Sequence, residues 1–398
     1  MTGRTKVLIA GGGVAALETM LALRRMAEER VEITLISPES SFAYRPLAVA
    51  EPFGLGVEQR FDLAEIVAEA AAELVEGEVS SVDAVAHTVS TTAGATLGYD
   101  SLVIACGGRR RAPFAEALTF GAPGTGERFS DLLEDLEGGW VRSVAFVLPS
   151  ESGWPLPLYE LALLTSSRLA AEGVDGVELM LVTPEASPLE LFGPQASGPI
   201  GELLTQRGIA TFTGSFPTAY RGRELILSPA GRLVVERVVT LPRIEGPGIE
   251  GLPQGPHRFI PVDYYGRVHG LEDVYAAGDA TTVPIKQGGL AAQMGEVVAG
   301  QIAVGAGTEV DVGPFRPVLR GMLLTGETPR YLRTELGDRS GAEAAIAEHA
   351  LWWPPSKIAG RHLAPCLAAL ATADLAPPAP PARKPVSIEV ELDPPETR

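Results

Sequence analysis

Along the first hundred residues short apolar runs alternate with stretches of helical period. KVLIA (6–10) predicts a strand, Val14 to Arg30 a helix and EITLIS (32–37) a second strand, which is the order of a βαβ unit. A Tyr-Arg-Pro loop (44–46), a helix over 62–75 and strands over 78–83 and 101–106 complete this segment. A second α/β series starts at SVAFVLP (143–149). It continues with a helix over 156–171, a strand over 177–184, a helix over about 198–207 and IATFTG (209–214). From 215 to 275 short strands alternate with Gly/Pro turns; DVYAAGDA (273–280) then leads to a helix from Gly288 to Ala303. The predicted class is α/β, with two Rossmann-like, glutathione-reductase-like nucleotide-binding domains and a C-terminal helical segment. The first domain comprises 1–112 plus 258–310, the second 113–257, the C-terminal segment 311–375 and an Ala/Pro-rich tail 376–398, read as a mobile linker with at most one strand.

Composition narrows the function. With 32 Lys+Arg against 50 Asp+Glu in 398 residues the chain carries a formal charge of −18, which argues against binding nucleic acid by phosphate neutralisation. Residues 312–362 carry +2 against −20 elsewhere, so a distinct surface is expected there. Two cysteines, Cys106 and Cys366, supply no disulfide framework, and the five histidines have no metal-ligand spacing, so no metal site is expected. The basic-then-apolar start imitates a signal peptide, but glycines crowd its centre and no cleavage site follows. No apolar run of about 18 residues occurs, so no transmembrane segment is expected and a cytoplasmic location is the reading.

Gly11-Gly12-Gly13-Val14-Ala15-Ala16 is GxGxxA, set directly after one strand and before a helix, as the motif requires. Gly11 permits the tight turn, Gly13 lets a pyrophosphate approach the backbone, and Ala16 allows close helix–strand packing. The next strand runs into Ser37 and Pro38, so Glu39 is the nearest acid for a ribose, two residues late. Asp273-Val-Tyr-Ala-Ala-Gly278-Asp279 reads as a strand ending in an exposed acid, and Pro284-Ile-Lys286-Gln287-Gly288-Gly289 precedes a helix.

With these two motifs and Tyr99-Asp-Ser-Leu-Val-Ile-Ala105-Cys106-Gly107, the sequence resembles the FAD-dependent pyridine nucleotide-disulfide oxidoreductases with two dinucleotide-binding domains. The nearest branch is that of sulfide:quinone reductase and type II NADH dehydrogenase, through 33–47, 154–164 and 181–193. The resemblance implies FAD, with Asp279 and Gly278 at the ribitol, Ala105, Cys106 and Gly107 near the phosphates, and Arg45 at the flavin or its phosphates. Lys286, Gln287 and the helix start at Gly288 would favour the flavin anion, and Glu160 would carry protons near the flavin. Beside these readings stand an ordinary surface arginine, an ordinary loop lysine and a solvent-facing helix glutamate.

Two departures shape the functional reading. The second domain's strand–helix turn, Ser150-Glu-Ser-Gly153-Trp154-Pro155-Leu156-Pro157, replaces the Gly-rich loop of NADH-using relatives, and the prolines remove N–H donors. Sulfide oxidation in the relatives uses a cysteine pair beside the flavin, whereas here Cys106 lies in the cofactor strand and Cys366 in a remote helix. Gly121–Phe129 is read as a linker, and Arg109–Arg111 as a solvated turn in preference to a phosphate clamp. Trp352, Trp353, Lys357, Arg361, Ile358, Leu363, Leu367 and Leu370 form an amphipathic stretch for a bilayer surface (351–370), a quinone pocket, or packing on the flavin domain or a second subunit of a homodimer. The expected function is transfer of two electrons from an unidentified small-molecule or protein donor through non-covalent FAD to a quinone-like or protein acceptor. An NAD(P)H dehydrogenase with a non-standard nicotinamide site, and a non-catalytic FAD-bound scaffold or redox sensor, stay open.

Overall fold

The computed structural model describes residues 3–371 apart from 123, 151, 152, 230 and 337–343; the Ala/Pro-rich tail and its strand therefore lie outside the described residues. The first domain opens with β1 (Thr5–Ala10), α1 (Val14–Ala27), β2 (Val31–Ser37), α2 (Leu63–Glu69), β3 (Glu73–Glu76) and β4 (Ser101–Ile104). The second holds β5 (Leu118–Thr119), α3 (Thr125–Glu137), β6 (Ser143–Val147), α4 (Leu156–Ala171), β7 (Glu178–Val182), α5 (Pro194–Gln206), β8 (Ile209–Phe212) and β9 (Arg237–Thr240). The chain then returns through β10 (Val274–Ala276) and α6 (Gly288–Gly305), and ends in β11 (Val318–Leu323), β12 (Arg330–Glu335), β13 (Ala345–Ala347) and α7 (Leu363–Leu370).

Both domains are built on five-stranded parallel sheets of the same plan, β10-β4-β1-β2-β3 and β5-β9-β6-β7-β8. Their strands read as unbroken apolar runs because both faces are covered, one by helices and the other by strand and loop residues such as Val82, Val89 and Ile249 on the first sheet and Tyr220, Leu225 and Leu227 on the second: Val7 to Ala10 and Leu102 to Ile104 are all buried. In each sheet the order reverses beside the first strand, which opens a crevice at the carboxyl ends of β1 and β4 and again at those of β6 and β9. α6 lies close on α1 because Gly295 has no side chain; a Cβ there would stand 2.7 Å from the Ala15 carbonyl oxygen.

Four expectations are corrected. The helix expected over 62–75 stops at Glu69. Arg24 of α1 takes the carbonyl oxygens of Ala70 (2.6 Å) and Ala71 (3.2 Å), Ala71 turns to a left-handed φ of 44°, and Glu73–Glu76 joins β2 as the edge strand β3. The linker read over 121–129 contains the start of α3, whose Phe129, Leu132, Leu133 and Leu136 form one buried face. The C-terminal segment contains a three-stranded antiparallel sheet before its helix, because Val318–Leu323 alternates half-buried and buried positions with a period of two; its only helix among the described residues, α7, has 8 residues. Finally, Arg109–Arg111 pairs antiparallel with Arg243–Glu245 instead of forming a free turn.

Candidate functional site

The first crevice is shaped by three glycines with different roles. Gly11 has φ +130°, and a Cβ on it would collide with the Ala105 carbonyl, so it permits the turn that brings β1 against β4. Gly12 faces Ser37 and Leu63, where a Cβ would fall 2.7 Å from the Ser37 hydroxyl. Gly13 is the N-cap of α1, and a Cβ there would meet no protein atom within 4 Å. The groove is therefore open just where the first-turn N–H groups of α1 favour an anion. Ala16 is fully buried between α1 and its surroundings. Gly107, at φ +73°, also borders open space.

Asp279 and Cys106 both keep accessible surface while lying deep in the molecule, as residues lining a groove do. No described residue hydrogen-bonds the Asp279 carboxylate; burial raises its pKa, opposed by the charges of Lys286 and Arg110. A partnerless carboxylate in a deep groove beside a bare helix N-terminus fits a dinucleotide with a hydroxylated chain: the carboxylate accepts a hydroxyl, and the amides receive the phosphates. Glu39 is exposed at the end of β2, and the Ser37 hydroxyl accepts its N–H at 3.2 Å. Arg45 is exposed and its charge is felt by Arg110, which together with Asp279 joins the rim of this groove. Within the arginine triplet the sequence does not separate Arg110 from its neighbours, because its position at the rim is created by the pairing with Arg243–Glu245.

The loop before α6 is tied down. Lys286 Nζ donates to the carbonyls of Thr281 and Val283 (the latter at 2.7 Å) and lies 3.6 Å from the centroid of the Phe259 ring; burial pulls its pKa down to about 8, against the attraction of Asp279. Its backbone N–H donates to Gly153 at 2.9 Å, and a Cβ on Gly153 would collide with the lysine stem, so the second domain's turn rests on this loop. Gln287 caps α6 by accepting from the Leu290 N–H at 2.8 Å, and its amide donates to the Arg320 carbonyl at 3.0 Å. Gly288 is overlain by Ile358, 2.7 Å from where a Cβ would stand. The start of α6 thus sits beneath the C-terminal segment.

The second crevice, of the same plan, is lined differently. At the N-terminus of α4, Pro155 and Pro157 have no N–H, and Leu158 N–H is spent on the Pro155 carbonyl at 3.0 Å. Glu185 follows β7 as Glu39 follows β2, in Thr183-Pro184-Glu185 and Ser37-Pro38-Glu39. Glu185, however, is turned inward. Its Oε2 accepts from Tyr159 Oη at 2.5 Å and Thr183 Oγ1 at 2.8 Å, its Oε1 has no partner among the described residues, and burial raises its pKa. The repeated hydroxyl-Pro-Glu triplet was a signal in the sequence for this pair of acids.

Glu160 is buried at 1 % exposure, not solvent-facing. Its Oε1 accepts from Lys357 Nζ at 2.6 Å and from Leu324 N–H at 2.9 Å; burial raises its pKa while Lys357 opposes the rise. Glu18, missed from the sequence, is its counterpart on α1: equally buried, it accepts from the N–H groups of His362 and Leu363 at 2.8 Å each, and so caps α7. Tyr44 Oη accepts from Ile358 N–H at 3.1 Å. The apolar face of 351–370 is spent on this docking, with Ile358, Leu363 and Leu367 buried and Trp353 85 % exposed. Cys106 and Cys366 are free thiols; burial pushes Cys106 up to about 11, which leaves it a thiol near neutral pH. Among the described residues no helix is long and apolar enough to cross a membrane, and no cluster of His, Cys, Asp and Glu suits a metal ion.

Residues 5–146 match the family described as pyridine nucleotide-disulphide oxidoreductase. The chain is 29% identical over 304 residues to the ferredoxin reductase component of chlorobenzene dioxygenase from Cupriavidus sp. (strain PS12), covering 72% of this chain and 69% of that protein. It is 28% identical over 293 residues to an NADH dehydrogenase-like protein of Mycobacterium tuberculosis, covering 69% and 72%. Its fold is similar to that of the sulfide:quinone oxidoreductase from the hyperthermophilic bacterium Aquifex aeolicus, with a TM-score of 0.78 at 20% identity over 86% of this chain and 87% of that one.

Proposed function

Because the chain belongs to the pyridine nucleotide-disulphide oxidoreductase superfamily of FAD-dependent oxidoreductases, we propose that it takes two electrons from a donor other than NAD(P)H and delivers them to a quinone-like or protein acceptor. The observation that carries this reading is the contrast between the two crevices: in the first the acid and helix amides are left for a ligand, whereas in the second Tyr159 and Thr183 hold the acid inside. The relatives' names support the acceptor class, since they include a ferredoxin reductase and a sulfide:quinone oxidoreductase.

FAD, when bound, supplies the two-electron chemistry. Gly13 and the α1 amides receive its pyrophosphate, Glu39 is the acid within reach of the adenosine ribose, Asp279 accepts a ribitol hydroxyl, and Arg45 with Arg110 balances phosphate charge at the rim. Lys286 holds positive charge beside Asp279, on the loop that carries the α6 N-terminus. Glu160 Oε1 holds a proton shared with Lys357 Nζ, in a site from which water is excluded, and is the proposed proton carrier.

The test is an anaerobic reductant screen read at the flavin absorption band. NADH and NADPH should bleach the flavin slowly or not at all, and the dithionite-reduced protein should be reoxidised by a short-chain quinone or a ferredoxin. Rapid bleaching by NADH or NADPH would overturn the reading. Failure of every acceptor to reoxidise the flavin would favour a non-catalytic FAD-bound scaffold.

A further inference from the structure

A cleft opens where the C-terminal segment crosses the three-stranded sheet. One chamber, of about 310 Å³, is lined by Arg320, Arg361, Trp352 and Trp353; an adjoining one, of about 210 Å³, shares both arginines and adds Glu18 and Glu296. The larger is at the lower end of small-ligand sites, which run from about 300 Å³ upward.

The two arginines of this cleft are not equally satisfied. Arg361 is paired with Glu296 at 2.7 Å, and Glu18 is spent on the N–H groups of His362 and Leu363. Arg320 makes no such bond: its Nε is buried without a partner, no described residue hydrogen-bonds or ion-pairs its guanidinium, and the one carboxylate among the described residues whose charge reaches it is Glu335. In the β11–β12 register it stands directly opposite Arg333, which itself takes the nearby carboxylate of Glu335 at 2.6 Å. Like charges at directly opposed strand positions are destabilising, and a half-buried guanidinium fork left empty forfeits its bidentate bonds. The arginine is nevertheless held in place, because its carbonyl accepts from the Gln287 amide at the cap of α6.

Aromatic surface faces the same space. Trp352 is fixed by an edge contact to Tyr331, with centroids 5.4 Å apart, and by donation of its indole N–H to Ser356 at 2.9 Å; Trp353 is exposed beside it. An unfilled carboxylate fork next to an oriented indole selects a flat anion over either a bare ion or a neutral ring. We propose that this cleft is a binding site for a small planar aromatic carboxylate, its carboxylate on Arg320 and its ring against Trp352 and Trp353. The site lies outside the dinucleotide groove, and the inference does not rest on the proposed electron transfer.

Calorimetric titration of the full-length, FAD-loaded protein with 2-naphthoate tests it. Saturable one-to-one binding is expected, with 2-naphthalenemethanol and acetate each at least about tenfold weaker. Arg320→Gln should weaken naphthoate by about tenfold or more and leave flavin content unchanged, while its thermal midpoint without ligand stays level or rises, because an unpaired cation opposite Arg333 has gone. Absence of naphthoate binding, equal binding of the alcohol, equal binding of acetate, or unchanged affinity in Arg320→Gln would each overturn the proposal. Should Arg320→Gln prove unstable, Trp353→Ala removes only an exposed ring; it should still lose naphthoate affinity several-fold, and unchanged affinity there would count equally against the site.

Discussion

Lys357 and Glu160 form the most deeply buried ion pair among the described residues, with side-chain exposures of 7% and 1%. Lys357→Met keeps the apolar stem and deletes the charge, which leaves Glu160 with the single hydrogen bond from Leu324 N–H. Removing one partner of a buried pair costs about 3–5 kcal/mol, because the survivor is an uncompensated charge. For cooperative unfolding of 398 residues at about 2.1 cal/mol/K per residue, the transition entropy is about 0.8 kcal/mol/K, so the thermal midpoint should fall by about 4–6 °C. The deficit should depend on pH. Burial already raises the Glu160 pKa and Lys357 opposes the rise, so without the lysine the folded-state pKa climbs further above the unfolded value of about 4.3. A raised acid is most favourable to folding below its unfolded pKa and loses that contribution as pH rises through the folded value. The variant should therefore match the parent near pH 4 and fall behind it as pH increases. Adding Glu160→Gln removes the stranded charge and should recover most of the loss. Thermal melts followed by circular dichroism between about pH 4 and 8, with flavin content recorded, would check this. A Lys357→Met shift under about 1 °C at neutral pH, or a double variant no better than the single, would refute the reasoning.

Gly13→Val should fold normally, since no protein atom lies within 4 Å of the new Cβ, yet lose FAD; a full flavin complement after purification would show that the open space is not the cofactor's. Gly11→Ala should instead yield unstable protein, because it forces a side chain onto the Ala105 carbonyl at φ +130°, and soluble expression with normal flavin would contradict that. Glu160→Gln alone should keep FAD, slow turnover on the order of 10²-fold and delete a pKa from the pH–rate profile; normal turnover would leave the residue a structural anchor only. Tyr159→Phe strands the Leu189 N–H and one Glu185 bond, for a loss of about 1–3 kcal/mol that grows as pH rises; denaturant unfolding with a loss below about 0.5 kcal/mol would count against the lock. Cys106→Ser and Cys366→Ser should leave turnover and flavin content largely unchanged, whereas a large loss of turnover in either, at normal flavin content, would revive a thiol mechanism.

What was legible in the sequence was whatever is set by near neighbours. β1, β4 and β10 declare themselves because strands buried on both faces are continuously apolar, and the Gly11-to-Ala16 turn and Asp279 are read from motifs a few residues long. The Ala/Glu-rich stretch at 62–75 has the composition of one helix, and only Arg24, 46 residues before Ala70, ends it. α3 was hidden behind Gly121 and Gly124 although its i, i+3, i+4, i+7 apolar spacing was in view. The C-terminal sheet was masked by the attention that Trp352 and Trp353 draw to a helical reading. Glu160 was legible as an acid among apolar residues, but its partner stands 197 positions away, and no local pattern connects the two.

The two domains also explain each other. Counted from the first residue of each helix, Glu18 in α1 and Glu160 in α4 occupy the same position, and both buried carboxylates reach the C-terminal segment, one at the α7 amides and one at Lys357. The segment is thus anchored twice through equivalent positions of a duplicated βαβ unit, across the start of α6. One position earlier the units differ: α1 has Leu17 where α4 has Tyr159. Leucine offers no donor, so Glu39 is left at the surface of the first crevice, whereas the tyrosine hydroxyl draws Glu185 into the second. A carboxylate engaged by two buried hydroxyls would have to give up both bonds to meet a ribose, and each bond to a charged acceptor is worth about 1.5–3 kcal/mol. One unit keeps its acid at the surface and the other spends it on packing, so on the proposed reading the inward-facing Tyr159 acts with Thr183 and with the prolines at the start of α4 to set the second crevice apart from the first.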